Sequence, residues 1–146
     1  MTGFALNRIN PEIIELVKNS TQKTLAVWAG DCAEHVLKQF DIADERPANA
    51  IAMCRAWVKD EISMLEARRY AFAAHAAARE MKDKAHCKIA RSCGHAAATA
   101  HVPGHVIYAA AYALSAIDNS VLNDRERLIE QERDWQYRHL LELQKR

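Results

Sequence analysis

The chain has 146 residues, half of them hydrophobic and 27% charged, with Lys plus Arg (20) nearly balancing Asp plus Glu (19). That is the balance of a globular domain large enough for one core. It lacks the clustered positive charge of a nucleic-acid binder. No run approaches the roughly 20 apolar residues of a membrane span, and the N-terminus carries no apolar leader. A cytoplasmic protein with no membrane or nucleic-acid partner is expected.

In chain order, Asn10-Pro11 predicts a cap followed by proline at the first helical position, opening a short helix through Ile13, Ile14 and Val17. Ser20 or Thr21 caps a second helix, whose apolar stripe is Leu25, Trp28, Ala29, Cys32, Val36 and Phe40, with Asp31, Glu34, His35 and Lys38 opposite. A polar loop from Asp41 to Arg46 ends at Pro47, where a third helix begins. Ile51, Cys54, Trp57, Val58, Ile62 and Leu65 keep helical period there.

Eighteen alanines fall between Ala67 and Ala116. Alanine is the best helix former and its small side chain lets helices approach closely. Three helices are predicted, near 63–82, 85–101 and 104–118, with breaks at Lys82–Lys84 and Val102–Gly104. Asn123 and Glu126 have the spacing of a capping box. It opens a charged last helix through Leu128, Ile129, Trp135, Leu140 and Leu141, a possible homodimer element around Trp135. With no period-two run, the expected fold is all-α: residues 1–146 as a single-domain bundle of six or seven helices with an alanine-rich core.

The segment Gly94-His95-Ala96-Ala97-Ala98-Thr99-Ala100-His101-Val102-Pro103-Gly104-His105 concentrates the chemistry. His101 and His105 have the spacing by which one helical face offers two imidazoles to a metal, but Pro103 breaks the helix between them. One reading is a metal-binding or metal-dependent hydrolytic domain using His95, His101 and His105. The other is a helix junction, with no metal or other cofactor. There His101 meets the free carbonyls at one helix end, and His105 in the next first turn bonds a neighbouring helix. Thr99 belongs to the same polar set. Cys93 and His95, two apart, face away from each other on a helix, which argues against a catalytic cysteine. Cys32 and Cys54 fall on apolar stripes.

Asp31 sits in the apolar surroundings of Trp28 and Cys32, four residues before His35, and needs a partner if buried. Arg55 or Arg91 can supply one, making an internal ion pair that fixes helix register. Alternatively, an acidic strip of Asp31, Glu34, Asp44 and Glu45 contacts a binding partner. No phosphate loop or nucleophile elbow is present.

Four segments carry a family resemblance: Trp28 to Glu34 with Val36-Leu37; Asp44-Glu45-Arg46-Pro47 leading to Ala50-Ile51 and Arg55-Ala56-Trp57; Ala90-Arg91 through Gly94 to His105 and Ala110 to Ala113; and Glu132-Arg133-Asp134-Trp135-Gln136. Over about 25–136 the chain resembles the helical immunity-protein family of bacterial polymorphic toxin systems. Asp134 stands where that family more often has glutamate. The resemblance implies a small, non-enzymatic, all-helical protein that binds and neutralises a cognate toxin in the cytoplasm of the producing bacterium. It brings no catalytic residues.

Overall fold

A computed structural model describes residues 8–146, so the reading of a missing leader falls largely outside the described residues. Seven helices make up the described chain: α1 (Glu12–Lys18), α2 (Gln22–Leu37), α3 (Arg46–Val58), α4 (Met64–Glu80), α5 (Lys84–Ala98), α6 (His105–Asp118) and α7 (Arg125–Gln144). No strand occurs among the described residues, and no helix among them is long and apolar enough to cross a membrane.

Short polar side chains start several of these helices, because the first backbone N–H groups have no partner within the helix. Asn10 Oδ1 accepts from Glu12 N at 3.0 Å, Thr21 Oγ1 from Thr24 N at 3.1 Å, Ser63 Oγ from Glu66 N at 3.1 Å and Asp83 Oδ1 from His86 N at 3.0 Å.

Three boundaries differ from the sequence expectation, each for a tertiary reason. The α3 stripe does not continue to Ile62 and Leu65. It stops at Val58, where Lys23 of α2 donates to the carbonyls of Trp57 and Val58, both at 3.0 Å, and Asp60 turns the chain at φ 61°. Helix α2 ends at Leu37, before Phe40, which packs partly buried against the cluster of Ile89, Leu114 and Ile117. The capping box at Asn123 does not form. Asp124 takes the N-cap position in a left-handed conformation without a side-chain cap bond. Glu126 is drawn instead to Arg8, whose Nη1 and Nη2 donate to its two oxygens at 2.9 and 2.6 Å. A forked guanidinium–carboxylate contact outcompetes a neutral backbone donor.

The centre of the bundle is α2, α5 and α6, with α3 and α4 packed against α5, and α7 against α6 and α2. Helix α6 is buried almost all round, from Val106 through Ala109 to Ile117. That is the condition of a central helix. Alanines at 96, 97, 109, 110 and 111 are inaccessible, so the α5–α6 backbones lie close. Larger side chains fill the seams with α2 and α7. Trp28, wholly buried, donates its Nε1 to the carbonyl of Gln136 on α7 at 2.9 Å, and Gln136 Nε2 donates to the Ala110 carbonyl on α6 at 3.1 Å. One chain of contacts thus ties three helices.

Candidate functional site

Two polar constellations stand on this frame. The first lies where α4, α5 and α6 meet. Helical spacing puts Lys88, Arg91 and His95 on one face of α5 and Tyr108 and Tyr112 on one face of α6, with His75 of α4 completing the wall. They line, with Cys87, a half-open pocket of about 620 Å³. His95 is its hub. Its ring lies 4.7 Å from that of His75, 4.9 Å from His105, 5.3 Å from Tyr108 and 5.3 Å, nearly parallel, from Tyr112. His95 Nδ1 and His105 Nδ1 share one hydrogen bond at 2.8 Å, which requires one nitrogen to donate and the other to accept.

Arg91 Nη1 donates to His75 Nδ1 at 3.1 Å. Arginine carries no acceptor, so this contact holds His75 neutral with its proton on Nε2. Burial, then the Arg91 charge, push His75 down to about 4; burial and the facing His75 and His105 push His95 down to about 3. Burial also lowers His101 and His105. At neutral pH the fixed positive charge lining the pocket is therefore that of Arg91 and Lys88.

Gly94 makes this packing possible. A Cβ there would lie 2.7 Å from His75 Nε2 and 2.8 Å from its Cε1, well inside contact distance. Gly94→Ala is expected to push the His75 ring away from Arg91 at a cost of about 1–3 kcal/mol, the range for overpacking. A urea midpoint unchanged from wild type would show that the ring yields freely.

The sequence expectations are redistributed here. His95 and His105 do meet, but the imidazole that lines the pocket beside His95 is His75, from α4, rather than His101. His101 lies outside the pocket lining, its ring 6.0 Å from that of His105. Two of the carbonyls following α5, those of Thr99 and Ala100, are taken by Gln22 Nε2 of α2 at 2.9 and 3.1 Å. Thr99 is buried and returns its hydroxyl to the His95 carbonyl at 3.2 Å. Among the described residues no three His, Cys, Asp or Glu side chains are grouped so as to hold a metal ion. His95 and His105 turn their Nδ1 atoms on each other, and no carboxylate lines the pocket.

The second constellation joins α2, α3 and α7. Arg55 donates to Asp31 at 2.9 Å and to Glu34 at 3.2 Å, while Arg91 lies in the other pocket. The imidazole that reaches Asp31 is His139, at 2.7 Å, and not His35, which donates to the buried Glu132 at 2.7 Å. Trp135 lies between them, stacked on His35 at 3.7 Å and on His139 at 4.7 Å. Its ring thus has partners within the chain on both faces. Burial raises Glu132 above the usual carboxylate range, against the opposing pull of His35. Asp44 is held by Arg46, with Nη2 to Oδ2 at 2.7 Å, and Arg46 also reaches Glu80 at 3.0 Å; the Arg46 contacts lower both carboxyls. Glu45 is exposed at the start of α3.

Cys32, Cys54 and Cys93 are buried, and burial raises all three thiols, Cys54 to about 12. None is poised as a thiolate nucleophile.

A family model described as Imm-5 like putative immunity protein matches residues 15–143. No curated protein and no solved structure matches the chain.

Proposed function

The chain belongs to the Imm-5-like immunity protein family, and on that premise we propose that it binds a cognate bacterial toxin and neutralises it by occlusion rather than by chemistry. The toxin is one of a polymorphic toxin system, and the complex forms in the cytoplasm of the producing cell. The observation that carries this reading is the family match over 15–143, nearly the whole described chain.

The outer face of α4 is the docking surface we favour. Leu65 and Phe72, 61% and 55% exposed, stand one pair of turns apart with Arg68 and Arg69 between them. Arg68 lies 5.0 Å over the Phe72 ring. Exposed apolar side chains grouped with arginine are the composition of binding hot spots, and the two cations suit an acidic toxin surface. The acidic strip suits the role less well, because Asp31 and Glu34 are bound by Arg55, and Asp44 by Arg46.

Co-expression with the neighbouring toxin gene is expected to restore growth, and the purified proteins to form a stable complex. A toxin that stays active and unbound overturns the reading. Within it, Leu65→Ser combined with Phe72→Ser is expected to weaken the complex at least tenfold, with stability changed by no more than about 0.5 kcal/mol per exposed site. Unchanged affinity by calorimetry would move the interface off α4.

A further inference from the structure

The pocket between α4, α5 and α6 has a composition that toxin docking does not use. Its volume of about 620 Å³ falls within the range of small-molecule sites, roughly 300–1,000 Å³. Arg91 and Lys88 bring fixed positive charge to it, and no Asp or Glu lines it. Among the described residues neither cation is paired with a carboxylate. They meet neutral groups instead, Arg91 at His75 Nδ1 and Lys88 at 5.6 Å over the Tyr112 ring. Elsewhere in the molecule Arg55 finds Asp31 and Arg46 finds Asp44. The neighbours beyond the lining add to the imbalance, since Arg79 also acts on His75.

Aromatic walls accompany the charge. Tyr108 and Tyr112 face the pocket with His95 stacked on Tyr112. An inorganic anion fills a small part of such a volume; an anion carried on an organic body fills more of it and can lie against the rings.

We propose that this pocket is a binding site for a small organic oxyanion, a carboxylate or phosphoryl group on a compact body, with Arg91 and Lys88 binding the charge. Arg91 offers the forked donor set that matches either group. His75 is a positioning residue, since its Nδ1 accepts one Arg91 N–H and leaves the guanidinium's other donors for the ligand. The site stands apart from the α4 outer face and does not depend on the toxin reading.

Cys87 supplies a reporter. It lies in the pocket lining and is half-buried, whereas Cys32, Cys54 and Cys93 are buried. The full chain is alkylated with iodoacetamide in benzoate, inorganic phosphate, acetate or chloride at equal ionic strength, while imidazole resonances of His75 and His95 are followed by NMR. Benzoate or phosphate is expected to slow Cys87 labelling at least threefold and to shift both histidines saturably. Benzoate alone identifies a carboxylate ligand, phosphate alone a phosphoryl ligand. Arg91→Gln is expected to weaken the effect tenfold or more and Lys88→Gln several-fold, with Arg68→Gln leaving it intact. Should Arg91→Gln fail to fold, Lys88→Gln and the labelling of the unaltered chain carry the test. Labelling and shifts no different from chloride, or undiminished in both pocket variants, overturn the proposal.

Discussion

Between neutral pH and pH 4 the protein is expected to lose on the order of 3 kcal/mol of stability through two histidines, His75 and His95. Burial holds them at about 4 and about 3 in the folded chain, against roughly 6.5 when unfolded. In that interval the unfolded chain takes up protons that the folded pocket refuses, so falling pH favours unfolding. Their stabilisation is complete above about pH 6.5 and is lost as pH drops through the folded values. The full shifts would give more, about 1.4 kcal/mol per unit for each group, but both rings are partly solvated and screened. Among the described residues the charges and imidazoles acting on them are Arg91 and His105, with Arg79 also near His75, and none of these offers a proton on either ring a favourable partner.

Glu132 works in the opposite sense. Its raised carboxyl makes protonation easier in the folded chain, and this offsets part of the loss near the bottom of the range. The histidine share is isolated by comparison. Urea unfolding at pH 7, 6, 5 and 4 is expected to show a steep fall for the native chain and a visibly flatter one for His95→Gln. Equal slopes would mean that the cluster is protonated without penalty.

Truncating Trp28 is expected to be the most damaging single change in the core. Trp28→Ala should cost about 3–5 kcal/mol, the range for removing a buried aromatic, and lower the midpoint of thermal unfolding by roughly 10 °C or more for a domain of this size. The side chain is wholly buried and lies among α2, α6 and α7, so neighbouring alanines have no bulk with which to refill the space. Trp28→Phe keeps most of the volume and loses the 2.9 Å bond to the Gln136 carbonyl. It should cost nearer 1–2 kcal/mol, the sum of a small packing loss and one hydrogen bond. Comparable losses in the two variants would place the energy in the hydrogen bond and overturn the packing account.

Trp28 and the histidine pair are buried in opposite ways. Trp28 sits where its sequence stripe puts it, and its burial follows from the periodicity of α2. His75 and His95 sit where α4 and α5 bring them together, and their acid sensitivity comes first from burial and then from the cations and imidazoles around them.

The helical periodicity and much of its punctuation are written in the order of the residues. The stripe of Leu25, Trp28, Ala29, Cys32 and Val36 is buried in α2, and the alanine-rich run divides near Lys82–Lys84 and Val102–Gly104 into α4, α5 and α6. These are local properties, fixed by residues a few positions apart. The pairing of Asp31 with Arg55 was legible as one of two possibilities, because a half-buried carboxylate needs a cation. Helix packing selects Arg55, because Arg91, the rival, is carried by α5 into a pocket without acids.

His75 had no sequence signal beyond one polar ring in an alanine-rich helix, yet it completes the cluster that His101 was expected to join. His139 and Glu132, which take Asp31 and His35, lie 108 and 97 residues away from them. Spacing rules reach about two turns of helix. Contacts between helices depend on crossing geometry and on where small residues such as Gly94 let a ring enter. Those are properties of the packed molecule, and they placed the pocket.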